Sequence, residues 1–361
     1  MLTVFRLVDP WILITLIAML GLGLAAVLTA SVSLNPNPFF YFFRQLLYVV
    51  IGIGMLLISA CIDYRTYRFK TQYPFILAIV LLMAVYMFGN QSWLTLIGGF
   101  HIQPSEIAKI IIIVYLSYVM SFDRHGGYRF WRHSLPIMTT CGFLIVMTAL
   151  QPDFGTALVM AFITVYLLFI GSMPLRHLMI PFVCVLPMIC VVPFVFSHVH
   201  QRIDYFLLNW QMGLKPWQLG YHDYQMRLAM GSGGWFGKGF GNGIIKRSFL
   251  PASHTDSIFS VLVEEGGLVT GMAVVLLFLA LFLLGERTAR LMHDRFGAML
   301  ARGITFYVAI QGFLNIGVCL GIFPNTGVTL PLFSYGGSSM IVTLFTLGIF
   351  LNVSSQRRIV Y

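Results

Sequence analysis

The chain has 361 residues, of which 22 are Lys or Arg and 12 are Asp or Glu; 58% are hydrophobic, mean hydropathy is +0.87 and the net charge is +10. An average soluble domain is about 25% charged, so 9% excludes a water-soluble globule, a disordered chain and a disulfide-stapled secreted module. What remains is an all-α integral membrane protein, read as one polytopic unit over residues 1–361.

Apolar runs of spanning length predict about ten transmembrane helices: 11–33, 44–62, 72–88, 104–121, 135–151, 155–171, 177–197, 257–285, 298–322 and 337–355. The first is too long for a signal-peptide core and reads as a retained span. The runs are continuous rather than alternating, and in lipid a helix satisfies its own backbone hydrogen bonds. Five cysteines (Cys61, Cys141, Cys184, Cys190 and Cys319) lie in or beside these runs with no CxxC pair, as small buried residues do. The basic residues form no continuous run, so no nucleic acid is expected. Arg6, the groups at 65–70, 124–132 and 287–302, Arg176, and Arg357 with Arg358 all fall on one side of a ten-span chain. The positive-inside rule makes that side the cytoplasm, with both termini there. The six tryptophans fall at predicted interfaces or in loops.

Residues 198–256 break this economy. They form a long extracytoplasmic loop between helices 7 and 8, carrying Arg202, Lys215, Arg227, Lys238, Lys246 and Arg247. Long connections of this kind are usually functional, and basic charge on the outer face suits an anionic ligand.

The acids are unevenly placed. Asp9, Asp63, Asp123, Glu286 and Asp294 accompany cytoplasmic basic residues. Glu106, Asp153, Asp204, Asp223, Asp256, Glu264 and Glu265 lie on the outer side, where an intramembrane ionisable group is a functional candidate. Glu106 and Lys109, three apart, share one helix face and can neutralise each other. Asp153, in Gln151-Pro152-Asp153-Phe154-Gly155-Thr156, can join them in a polar cavity, or all three can form a structural network. Glu264 and Glu265 read as water-facing caps at the interface. Asp256, in His254-Thr255-Asp256 at the mouth of span 8, reads as a helix cap or as a catalytic carboxylate. The glycine-rich stretch 231–243 fails the Walker pattern, yet backbone N–H groups beside Lys238 could approach a diphosphate. His198 and His200 have no ligand-spaced Cys or acid, and no catalytic triad or zinc spacing stands out.

Several long motifs occur in order: Gly99-Phe100-His101-Ile102-Gln103-Pro104-Ser105-Glu106-Ile107-Ala108-Lys109, the 151–156 stretch, Ala229-Met230-Gly231-Ser232-Gly233-Gly234, Phe249-Leu250-Pro251, His254-Thr255-Asp256, Asn315-Ile316-Gly317, and Leu330-Pro331-Leu332-Phe333-Ser334-Tyr335-Gly336-Gly337-Ser338-Ser339. With them the chain resembles the SEDS family (shape, elongation, division and sporulation), which includes RodA and FtsW. Ile62-Asp63-Tyr64-Arg65 resembles the RodA branch, and Thr329-Leu330-Pro331 the FtsW branch; the lean is to RodA. The sequence departs from the family pattern at Ser92, Ala252, Ser257 and Gly266.

The resemblance implies a peptidoglycan glycosyltransferase in the bacterial cytoplasmic membrane, in contact with membrane lipid. Such enzymes polymerise lipid II beside a class B penicillin-binding protein. It also implies that Asp256 is essential and that Glu106, Lys109 and Asp153 line a cavity near it, with His254 and Thr255 in support. Arg202, Lys238 and Lys246 are candidates for the diphosphate, a task that a divalent cation, Mg or Mn, could share. A lipid II flippase and a non-catalytic scaffold for the crosslinking partner are the competing readings.

Overall fold

In the computed structural model, residues 7–31, 39–68, 72–89, 92–95, 101–122, 129–179, 221–244 and 253–357 are described, with the single residues 200, 204 and 207. The architecture is all-α. The helices are α1 (Pro10–Ser31), α2 (Phe40–Cys61), α3 (Gln72–Phe88), α4 (Pro104–Ser121), α5 (Leu135–Ala149), α6 (Phe154–Ile170), α7 (Tyr221–Gly233), α8 (Ile258–Leu291), α9 (Arg295–Cys319) and α10 (Gly337–Ser355). Two short strands, β1 (Leu94–Thr95) and β2 (His101–Ile102), pair antiparallel just before α4. Nine expected spans correspond to helices. The expected span 177–197 lies almost wholly outside the described residues, and α7 belongs to the long outer connection.

Local chemistry sets several boundaries. Pro104 opens α4 at a position where a missing N–H costs nothing. Asp153 caps α6 by accepting from the Thr156 N–H (3.2 Å), and Asp294 caps α9 by accepting from the Gly297 N–H (3.3 Å). Among the described residues, six helices are long and apolar enough to cross a membrane. The most apolar stretches of α9 and α10 are 72% buried against 28% for α8. The first two are therefore enclosed among the described helices, and α8 is the less covered. At the core, α9 packs against α4, α6, α8 and α10.

Both ends of the chain meet on one face. Asp9, just before α1, pairs with Arg357 after α10 (2.9 Å) and with Arg287 near the end of α8 (3.4 Å). Nearby, the side chain of Asn352 accepts from the Tyr64 N–H (2.9 Å) and donates to the Ala60 carbonyl (2.8 Å), which fixes the α2–α3 connection.

The structure corrects the sequence reading of span 8. The helix runs six residues past the expected limit, to Leu291, and it is broken at Gly267 (φ 73°, ψ −175°). The glycine-rich segment after α7 fills the break. Its Lys238 and Gly239 N–H groups donate to the Glu264 and Glu265 carbonyls (3.1 and 2.9 Å), and the Leu268 and Val269 N–H groups donate back to Gly234 and Trp235 (2.9 and 3.2 Å). A Cβ at Gly237 would collide with the Glu265 carbonyl, and one at Gly267 with the Trp235 carbonyl. The glycines therefore serve backbone-to-backbone packing, and the N–H groups of Lys238 and Gly239 are spent on protein carbonyls rather than open to a phosphate.

Gly267→Ala is expected to lower the thermal unfolding midpoint in detergent markedly. It adds left-handed strain of about 1–3 kcal/mol to a backbone collision. Gly231→Ala, on a helix with open space around it, should be neutral or stabilising by up to about 1 kcal/mol. Equal midpoints for the two variants would contradict the packing role of the break.

Candidate active site

The turn 253–257, which leads into α8, is held from three sides. Its backbone is tied to the long connection between α9 and α10: the Tyr335 N–H donates to the His254 carbonyl (2.8 Å), and the Ser334 hydroxyl donates to the Thr255 carbonyl (2.6 Å). From α9, the Asn315 side-chain amide donates to the Asp256 carbonyl (2.8 Å) and to the Val328 carbonyl (2.7 Å). On the α1 side, the Ser253 hydroxyl donates to the Ala30 carbonyl (3.2 Å). Gln45 of α2 secures the connection in turn, donating to the Ser334 carbonyl (3.1 Å) and accepting from the Gly336 N–H (3.3 Å).

Fixing this backbone leaves the Asp256 side chain directed outward. Its carboxylate is 22% exposed, accepts from the Thr255 hydroxyl (3.0 Å) and faces the His222 Nε2 at 3.8 Å. His222 also meets the Ser257 hydroxyl (3.2 Å). Thus the site has a catalytic candidate in place, with Thr255 on one of its oxygens. His254 packs in a cluster with the rings of Tyr41 and Tyr335 (4.8 and 5.3 Å between centroids). Burial pushes its pKa below the ordinary 6.5, which keeps the ring neutral at neutral pH. His254 therefore supports the turn by packing.

Glu106 and Lys109 form a buried ion pair (2.8 Å) in the first turns of α4. Lys109 also donates to the Gln311 carbonyl oxygen (2.7 Å) and lies 4.8 Å from the centroid of the Tyr307 ring. Gln311 donates onward to the Thr329 carbonyl (3.1 Å). Asp153 lies beside this pair without bonding it directly: Oδ2 accepts from Gln103 and Ser105 (2.6 and 2.8 Å), and Oδ1 caps α6.

Two expectations change. Glu264 and Glu265 are not water-facing caps but are buried to 0% and 1% exposure. Glu264 is covered by the glycine-rich segment, accepting from the Ile244 N–H (2.8 Å) and the Lys238 ammonium (3.1 Å). Lys238, read from sequence as a diphosphate ligand, is thus the counter-ion of a buried carboxylate and also donates to the Ser232 hydroxyl (2.7 Å). The other two diphosphate candidates, Arg202 and Lys246, lie outside the described residues, as do His198, Cys184 and Cys190.

Sequence reading missed Gln311, Thr329 and His222. The signal for Gln311 was its position four residues before Asn315 on an otherwise apolar helix, which puts two amides on one face. His222 carried no signal, because nothing in the linear order brings it to Asp256.

A family model described as "Cell cycle protein", covering FtsW, RodA and SpoVE, matches residues 9–359. The probable peptidoglycan glycosyltransferase FtsW of Geobacter metallireducens is 35% identical over 97% of this chain and 95% of its own length. Its counterpart in Coxiella burnetii is 32% identical over 96% of each chain. The fold superposes on a chain from a structural study of polymerisation and crosslinking by a peptidoglycan synthase complex, with TM-score 0.79, 25% identity, and coverage of 97% of this chain and 98% of that one. It also superposes on the Thermus thermophilus rod shape determining protein RodA, with TM-score 0.72, 26% identity and 97% of each chain.

Removing one partner of the buried pair should cost more than removing both. Glu106→Gln or Lys109→Met alone is expected to destabilise by about 3–5 kcal/mol, read as a lower unfolding midpoint in detergent. The double variant should recover part of that loss. Wild-type midpoints and polymerisation rates in both single variants would remove the pair from the account of the site.

Proposed function

The chain belongs to the FtsW/RodA/SpoVE (SEDS) family, and we propose that Asp256 is the group with which this peptidoglycan glycosyltransferase activates its acceptor. The enzyme is a multi-pass membrane protein that polymerises lipid II, a disaccharide-pentapeptide carried on undecaprenyl diphosphate. The glycan serves elongation, as in the RodA branch, or division, as in the FtsW branch. The curated relatives above carry the FtsW name and one structural neighbour the RodA name; the chemistry is the same in either.

One observation carries the assignment of Asp256. Its backbone is immobilised by Asn315 and by its neighbours' bonds to Ser334 and Tyr335, while its carboxylate stays partly open at the end of α8. A base must be fixed and must also be reachable by substrate. The acceptor hydroxyl loses its proton to Asp256 as its oxygen attacks the anomeric carbon of the donor. The bond from that carbon to the diphosphate breaks, and the electron pair leaves with undecaprenyl diphosphate. An α-linked donor and a β-linked product require inversion, hence one displacement without a covalent intermediate.

Orientation follows from charge. The Asp9–Arg357–Arg287 cluster marks the cytoplasmic face by the positive-inside rule, so Asp256 sits at the outer face of the cytoplasmic membrane. That placement suits a substrate with its lipid in the bilayer and its sugars outside. The partner is a class B penicillin-binding protein that crosslinks the product. Among the described residues, no three His, Cys, Asp or Glu side chains converge as metal ligands. A divalent cation shared with the diphosphate would therefore rest largely on the substrate's own oxygens, and no step above is routed through it.

Purified protein with lipid II in detergent tests the assignment. Detergent abolishes sidedness, so polymer means an enzyme and not a flippase. Asp256→Asn is expected to lower the polymerisation rate at least about a hundredfold with an unchanged elution profile. Full-rate polymerisation by a well-folded Asp256→Asn would rule Asp256 out as the base.

A further inference from the structure

The proton that Asp256 removes must leave before the next sugar is added. The described residues around Asp256 offer few groups that can take it. Thr255 and Ser257 are hydroxyls, and Asn315 binds only the backbone carbonyl. His254 packs in a cluster with the rings of Tyr41 and Tyr335, and burial disfavours its protonated form. The remaining candidate is His222, one residue into α7, whose Nε2 lies 3.8 Å from the free oxygen of Asp256, the one not bonded to Thr255. The Ser257 hydroxyl, 3.2 Å from the same nitrogen, holds the ring edge toward the carboxylate. The imidazole is 22% exposed, so it is neither sealed off nor fully in water.

We propose that His222 is a positioning residue that acts through Asp256: it takes from the carboxyl group the acceptor's proton. The inference rests on the reading of Asp256 as the base. In the neutral ring, Nε2 carries the lone pair and accepts from Ser257, with the N–H on Nδ1. When Asp256 is protonated, its Oδ2–H takes the place of the Ser257 hydroxyl at Nε2 and passes the proton across. The imidazolium then releases that proton from Nε2 to water, and both groups return to their starting states. The gap is about 1 Å longer than a charge-assisted hydrogen bond, a distance that a small side-chain rotation closes. The role also gives α7 a reason to pack where it does. The glycine-rich segment locks the C-terminal end of this helix against α8, and the N-terminal end carries His222 to the site.

Other titratable and charged groups face this region. From its own helix come Asp223, Tyr224 and Arg227; from the turn and α8 come His254, Asp256 and, two turns on, Glu264 and Glu265; from α9 comes Cys319. Among these, His254 is the other imidazole; it packs against the rings of Tyr41 and Tyr335, burial lowers its pKa and the Asp256 charge works against that shift.

The test is the pH dependence of lipid II polymerisation by the full chain with its crosslinking partner, in detergent, with kcat and KM measured separately. The wild type should lose kcat on an acidic limb. That limb should persist in His254→Gln. In His222→Gln it should move to lower pH, with kcat on the plateau reduced about tenfold and KM unchanged. A structural role alone would lower the rate equally at every pH. An unchanged limb in His222→Gln overturns the inference. If that variant does not fold, loss of the wild-type limb in His254→Gln overturns it as well. Asp256→Asn separates the two claims: an active Asp256→Asn refutes the base, whereas an inactive one with an unshifted His222→Gln limb refutes only the relay.

Discussion

Gln311 and Asn315 lie four residues apart on α9, and each spends its side-chain amide on backbone carbonyls of the connection between α9 and α10. The same two residues reach in opposite directions: Gln311 accepts from Lys109 of the buried ion pair, and Asn315 donates to the carbonyl of Asp256. α9 is the most enclosed part of the bundle alongside α10. A polar ladder on such a helix is costly unless every rung is satisfied, and here the rungs bind the two charged parts of the site into one frame. The connection 326–336 is irregular backbone at the edge of the membrane, tolerated because protein groups satisfy its amides and carbonyls. Leu330 N–H is met by Ser334, Ser334 by Gln45, and Val328 and Thr329 by the α9 amides. The long motif there reads as a list of these obligations.

The helical architecture was legible because it follows from one constraint: in lipid, a span must close its own hydrogen bonds. Apolar length alone placed nine helices, eight of them within four residues at each limit. The i, i+3 spacing of Glu106 and Lys109 likewise announced their pairing, since helix geometry forces the two side chains onto one face. What failed was anything set by distant packing. Glu264 and Glu265 looked water-facing from their position at the start of a span, because nothing local says that a glycine-rich segment thirty residues earlier folds over them. Lys238 looked free for the same reason. Its partner, Glu264, is visible only once α7 is docked on α8.

The glycine-rich segment shows why composition alone misleads. Glycines that approach a phosphate and glycines that approach another backbone are chosen for the same property, the missing Cβ. At Gly237 and Gly267 the approaching atoms are carbonyl oxygens of the partner segment. The break in α8 frees carbonyls and N–H groups that would be orphaned in a continuous bilayer core, and the segment after α7 supplies their partners. Helix break and glycine run are therefore one feature. Each would be a defect without the other.

That coupling explains how a site can be built at the membrane edge with so few charges. A soluble glycosyltransferase can surround its base with hydrated polar groups; at the bilayer surface each added charge must be paired or left in water. Among the described residues, Glu106 pairs with Lys109 in the interior and the buried Glu264 pairs with the partly exposed Lys238, and neither pair lies in the turn 253–257. Through Gln311 the first ties α4 to α9, and the second ties the glycine-rich segment to α8; the candidate site keeps the Asp256 carboxylate, the Thr255 and Ser257 hydroxyls and the His222 imidazole. Ser257 provides one of those hydroxyls and touches His222, a contact that a bulky apolar side chain at that position could not make.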